Sequence, residues 1–191
     1  MQGKTTEQMA ECILDAVKMR ERQGKKVFIA IDGRCAAGKT TLAGYLQETY
    51  GWSVVHMDDF FLRPWQRTEE RLAKPGGNVD YERVLEEVLI PLSKEQAVSY
   101  HPYDCKMQKM QKKIELQPKT VQIFEGSYSC HPALREYYSL KIFLDISKEE
   151  QLERIIRRNG QTVRMFQEKW IPLEELYFSE CDVKACCNLC L

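Results

Sequence analysis

Histidine is scarce in this chain, an excess of either charge is absent, and no long apolar run occurs. Only three of the 191 residues are histidine: His56, His101 and His131. They are scattered, and no Ser–His–Asp spacing emerges, so nothing points to a hydrolase triad. His56 reads as a strand residue, and His131 precedes a turn proline. Lys plus Arg total 28 and Asp plus Glu total 28, giving zero net charge. No global field therefore draws nucleic acid or an anionic membrane. No run approaches the roughly 18 apolar residues of a membrane span. The opening "MQGKTTEQMAECILDAVKMRERQGKK" has no signal-type apolar core. Repeats and low-complexity tracts are missing. These absences predict a cytoplasmic chain without nucleic-acid or membrane partners, and they leave a homo-oligomer open. The length suits one domain over residues 1–191.

Cysteine is the exception, with eight residues. The chain is too long and too rich in lysine and glutamate for a small disulfide-stapled scaffold, so reduced thiols are expected. Cys181, Cys186, Cys187 and Cys190 crowd the C-terminus. Cys187-x-x-Cys190 has metal-ligand spacing, but no second pair repeats it, and zinc sites usually need four ligands. "CCNLCL" reads instead as a last buried strand that uses cysteine as a small hydrophobe.

Periodicity predicts an N-terminal helix within residues 1–24, running over 6–22, with Met9, Cys12, Ile13, Ala16 and Val17 on one face and Gly24 as its stop. Apolar runs at 27–31, 53–57, 120–124 and 140–146 read as buried strands. Residues 60–78 read as a long loop, 80–92 as a helix, and 97–117 as an irregular hairpin. A further helix begins at Ser147, whose spacing to Glu150 fits a capping box. Phe166 and Trp170, four apart, read as core. Strands alternating with helices predict an α/β fold: a mostly parallel sheet covered by helices on both faces.

Residues 33–40, Gly33-Arg34-Cys35-Ala36-Ala37-Gly38-Lys39-Thr40, match G-x-x-x-x-G-K-[ST] between a strand and a helix. Small side chains let a triphosphate lie against backbone N–H groups, and the helix N-terminus adds partial positive charge. The cofactors implied are ATP and Mg²⁺. The stretch Gly33 to Thr41 would hold the nucleotide, Lys39 would reach the β- and γ-phosphates, and Thr40 would hold the metal. Cys35, beside a helix N-terminus and Lys39, is expected to favour its thiolate.

Carboxylates separate a kinase from a hydrolysing switch. "HMDDF" (56–60) puts Asp58 and Asp59 at the carboxyl edge of the sheet, where α/β ligands bind. There a carboxylate can take the proton of an attacking hydroxyl. The plainer reading is an Asp pair that caps a turn. Glu125, ending "IFE", would order Mg²⁺ or its waters. Arg154, Arg157, Arg158 and Arg164 read either as a solvated helix face or as an arginine-bearing lid over residues 147–170 that steadies the transferred phosphoryl group. Trp65 and Tyr103 lie in loops, as stacking surfaces for a planar substrate or as cover.

The chain resembles the uridine kinase and phosphoribulokinase family of P-loop kinases from about Lys26 to Phe178. The resemblance rests on "GRCAAGKTT", "MDDFF", "GGNVDYERV", "PYD", "IFEGSYSCHPALREYYSLKIFLD" and "QLERIIRRNG". It implies a P-loop NTPase fold, Asp58 as catalytic base, and Asp80, in "NVD", as a ligand of ribose hydroxyls. It also implies Arg154 and Arg158 as lid arginines, with Lys39 catalytic and Tyr103 at the substrate. Cys105 and Gln108 stand where uridine kinases carry the phenylalanine and histidine that hold the pyrimidine. The implied activity is phosphoryl transfer from ATP to a small-molecule hydroxyl, with a nucleoside 5′-hydroxyl first. Another sugar or vitamin-like alcohol is the alternative acceptor. The rival from another class is a non-catalytic ATP-sensing module. Asp80 has a plain reading too: it precedes a helix as an N-cap, with Val79 and Val84 spaced as a hydrophobic staple.

Overall fold

The structure, a computed structural model, describes residues 4–22, 24 and 26–191. The N-terminal helix expected within 1–24 is observed as Thr6–Glu21; residues 1–3 and 23 lie outside the described residues. Thr5 and Gln8 cap it reciprocally, and Gly24 follows its end at φ +70°.

Five parallel strands form the central sheet in the order β2-β7-β1-β8-β9. They are β1 (Val27–Gly33), β2 (Ser53–His56), β7 (Val121–Glu125), β8 (Leu140–Leu144) and β9 (Leu189–Cys190). β1 is central and fully buried. Its alternate residues feed two cores. Ile29 and Ile31 pack with Ile13 and Val17 of the first helix and with Leu42 and Leu46 of Lys39–Tyr50. Phe28 and Ala30 face Val84, Val88 and Leu89, together with Phe124 and Phe143. Both faces are dry, which is why the strands read as unbroken apolar runs. Each such side chain contributes about 1.5–3 kcal/mol on burial.

The hairpin region forms a nested ribbon: β3 (Val98–Tyr100) pairs antiparallel with β6 (Ile114–Leu116), and β4 (Tyr103–Asp104) with β5 (Lys109–Met110). Residues 81–93 and 163–180 are each one continuous helical run with a π-type stretch inside, Val84–Leu89 and Phe166–Trp170. Each stretch ends two residues before a proline, Pro91 or Pro172. Proline offers no N–H and crowds the carbonyl four residues back, and a widened turn accommodates both.

Several expectations are corrected. β2 stops at His56, and Met57–Phe60 forms a 3₁₀ turn rather than strand. The 60–78 segment is not all loop, since Thr68 caps a short helix at Glu69–Ala73. The closing strand exists but is an exposed sheet edge, Cys190 being exposed and Leu189 half-buried. Phe166 and Trp170 are half-buried rather than core, lying under Arg158 and Lys169. Ser147 accepts from the Glu150 N–H, but the Glu150 carboxylate turns to Arg154.

Candidate active site

The site gathers at the carboxyl ends of β1, β2 and β7. Gly33 ends β1 at φ +132°, and a side chain there would run into the Leu144 carbonyl. Ala36, at φ +62°, and Gly38, at φ +100°, bend the loop through left-handed conformations that turn N–H groups inward. No side chain caps the Lys39–Tyr50 helix. Thr5 and Ser147, by contrast, cap Thr6–Glu21 and Lys148–Asn159, and the uncapped N–H groups beside the loop stand ready for an anion. Lys39 is buried, its Nζ donating to the carbonyls of Gly33 (2.6 Å) and Arg34 (2.9 Å). Thr41 is exposed at the helix start, and Ala37 is buried beneath it.

Thr40 Oγ1 faces both Glu125 carboxylate oxygens at 3.2 and 3.3 Å. A hydroxyl and a buried carboxylate so placed are hard oxygen donors of the kind Mg²⁺ takes, in a site that leaves its other positions to water and phosphate. His56 pairs with Glu125 in the parallel ladder, and its Nδ1 lies 2.6 Å from Glu125 Oε1. That hydrogen bond raises the His56 pKa.

The two aspartates of the 3₁₀ turn differ. Asp59 accepts from the Tyr100 hydroxyl at 3.0 Å. Among the described residues no hydrogen bond or ion pair holds the Asp58 carboxylate, which opens to solvent at the cleft. Crowding by the surrounding protein raises the Asp58 pKa, and Glu125 adds to it, while Lys39 and His56 pull the other way. Alternation along a strand does not separate this pair, because they sit on a 3₁₀ turn; their hydrogen bonding does.

Asp80 and Tyr103 reach the same turn. The Asp80 N–H donates to Phe60 O at 2.7 Å, and β4 packs against residues 57–60. The Asp80 carboxylate is buried, and it caps the next helix through the Arg83 N–H (3.3 Å). It also accepts from Gln66 Nε2 (2.7 Å) and Arg63 (3.3 Å). A pocket of about 320 Å³ opens here, lined by Leu62, Gln66, Arg71, Asp80 and Glu82. Tyr103 is buried, and its hydroxyl has no hydrogen-bond partner in the structure. Trp65 is exposed, under the Arg63 guanidinium.

Arg154 reaches the loop, donating to Ala36 O at 3.1 Å, and Gln151 donates to Cys35 O and Sγ. Arg158 lies over the Phe166 ring at 6.0 Å. Arg34 is held by Asp145 and Glu175.

The thiolate expected at Cys35 is overturned. Burial, then the nearby Glu174 carboxylate, pushes the thiol up to about 12, outweighing Lys39. Glu174 accepts from the Cys35 N–H (3.0 Å) and the Ser127 hydroxyl (2.5 Å), a role invisible in the sequence. Asp32 was also missed. It is fully buried and accepts from the N–H groups of Gly33, Tyr128 and Cys130 and from the Tyr177 hydroxyl. Burial pushes it up to about 6 against those donors. His56, read as an ordinary strand residue, is a third; only the β2–β7 register brings it to Glu125.

A model of the Phosphoribulokinase / Uridine kinase family matches residues 28–164. A uridine kinase of Alkaliphilus metalliredigens is 26% identical over 145 residues, covering 71% of this chain and 69% of that protein. Among solved structures, a candidate fructose transport system kinase from Silicibacter sp. TM1040 superposes with TM-score 0.74 at 20% identity, covering 99% of this chain and 100% of that one. A possible uridine kinase from Bacillus stearothermophilus gives 0.67 at 17% identity, covering 94% and 98%. At these identities the structural likeness establishes the fold, a P-loop kinase α/β sheet.

Proposed function

The chain belongs to the Phosphoribulokinase / Uridine kinase family, whose members phosphorylate alcohol groups, and from that premise we propose an ATP-dependent kinase of a small nucleoside-like alcohol. One observation carries the reading. Asp58 is a carboxylate with a raised pKa and no hydrogen-bond or ion-pair partner among the described residues, beside the corner formed by Lys39, Thr40 and Glu125. A nucleotide-sensing module has no need of such a group, whereas a kinase needs a base within reach of the acceptor hydroxyl.

The residues divide the work. Backbone N–H groups of 33–41 receive the phosphates, and Lys39 exchanges its two carbonyl partners for phosphate oxygens. Thr40 and Glu125 would hold Mg²⁺, which neutralises charge on the phosphates when bound. Asp58 orients the acceptor hydroxyl and takes its proton. Arg154, already at Ala36 O, meets charge on the transferred group. Asp80 presents its carboxylate at the floor of the adjoining pocket, where a vicinal diol would compete with Gln66 and Arg63 for it.

A free sugar is the second reading, favoured by Cys105 and Gln108 at the positions where uridine kinases hold the base. An ADP-release screen over nucleosides, free sugars and pantothenate-like alcohols distinguishes these readings. Turnover on a nucleoside, lost in Asp58→Asn, supports the first. Turnover on a sugar alone selects the second, and ATP binding without turnover on any alcohol removes both.

A further inference from the structure

Three thiols meet on the Phe28 side of the sheet, outside the site described above. Cys130 is fully buried on the turn that follows β7. Its Sγ lies 3.9 Å from Cys187 Sγ, across 57 residues of sequence. Cys186 is the third member, its S–H donating to Val183 O at 3.1 Å. Cys186 and Cys187 are half-buried, so small solutes reach them. Arg135 ties the same two segments together, donating to Cys130 O (3.2 Å) and Cys181 O (2.7 Å). Among the described residues no group of three or more His, Cys, Asp and Glu is arranged to hold a metal ion. Pairwise thiol chemistry is what the arrangement permits.

We propose that Cys130 and the Cys186–Cys187 pair form a hydroperoxide-reactive thiol centre that closes a reversible disulfide between the post-β7 turn and the C-terminal turn. Cys187 is half-buried, within reach of small solutes, and its sulfur already touches that of Cys130. Cys187, as its thiolate, attacks a peroxide oxygen. The O–O bond breaks, giving a sulfenic acid, and the departing oxygen leaves as water. Cys130 then attacks the Cys187 sulfur, the S–O bond breaks, and the second oxygen leaves as water. Two thiols and one hydrogen peroxide become one disulfide and two waters. The sulfurs need to close from van der Waals contact to about 2.05 Å, and the half-exposed C-terminal turn supplies that movement.

The bond would fasten the turn whose Cys130 N–H holds Asp32, the residue immediately before Gly33. Oxidation therefore reaches the back of the phosphate loop without touching it.

The test is stoichiometric hydrogen peroxide on the full-length reduced chain, followed by non-reducing peptide mapping and melting. The expected product joins peptide 120–135 to peptide 185–191, with two of the eight thiols lost. It melts higher than the reduced protein and reverts with dithiothreitol. Cys187→Ser should slow the reaction at least tenfold, and the Cys186→Ser/Cys187→Ser pair should abolish it. Neither substitution sits in the buried core, so folding is retained and a melting curve checks it. A disulfide from Cys130 to any other cysteine, sulfinic acid without a cross-link, or unchanged oxidation in the double variant would overturn the proposal.

Discussion

Replacing Asp58 by asparagine removes one charge and hardly alters the shape of the cleft. Among the described residues no group hydrogen-bonds to this carboxylate, so the substitution should leave stability within about 0.5 kcal/mol. Because burial and then Glu125 disfavour its charge more than Lys39 and His56 favour it, any shift should be toward greater stability. Losing a positioned base costs about 10²–10⁴ in rate, which is roughly 2.7–5.4 kcal/mol of barrier. ATP affinity should hold or tighten, since a negative charge near the phosphates has gone. Asp59→Asn makes the contrast. Its amide oxygen still accepts from Tyr100, so only the charged component of one hydrogen bond is lost, about 1 kcal/mol, or less than tenfold in rate. The assay is steady-state ADP release with ATP affinity measured separately by calorimetry. If Asp59→Asn is the slower enzyme, or both variants lose less than tenfold, the assignment of Asp58 as base fails.

Three further outcomes are expected. Lys39→Ala should abolish turnover and weaken ATP binding, while far-ultraviolet circular dichroism stays unchanged; unchanged ATP affinity would remove the phosphate-loop assignment. Asp80→Ser keeps a helix cap but leaves Gln66 and Arg63 without their acceptor, so it should lose about 1–3 kcal/mol of stability and more than tenfold in kcat/KM on a ribose-bearing acceptor; full activity would make Asp80 a structural cap only. Burial, then Arg71, lowers the His131 pKa to about 4 from an ordinary 6.5. His131 must be neutral in the fold, so its contribution is present above pH 6.5 and is lost as pH falls through 4. Asp32, raised from 3.8 to about 6, acts with the opposite sign, and its contribution is lost as pH rises over that window. Melting curves of His131→Gln against the parent from pH 4 to 7 isolate the first term; a difference independent of pH would contradict it.

The sheet, the loop and the helices were legible because each has a local cause. β1 reads as buried since both of its faces are covered. The loop reads as anion-binding since glycine and small residues precede Lys39. What escaped the sequence depends on partners far along the chain. Glu174 meets the Cys35 N–H across 139 residues, and burial together with that carboxylate reverses the thiol's expected acidity. His56 matters through its register with Glu125, which no local pattern encodes. The proline-linked widened turns escaped too, because apolar spacing alone cannot tell an α from a π turn. Asp80 shows the reverse: the cap was legible, and the structure adds two side chains to the same carboxylate.

The central claim is that a phosphoryl group passes from ATP to an alcohol held at Asp58. Incubation with γ-³²P-labelled ATP, Mg²⁺ and a panel of nucleosides and sugars, followed by chromatography of the products, tests it directly. The account predicts one labelled organic phosphate, formed by the parent chain and lost with both Lys39→Ala and Asp58→Asn. Labelled inorganic phosphate alone, or an organic product that persists in Asp58→Asn, would contradict it.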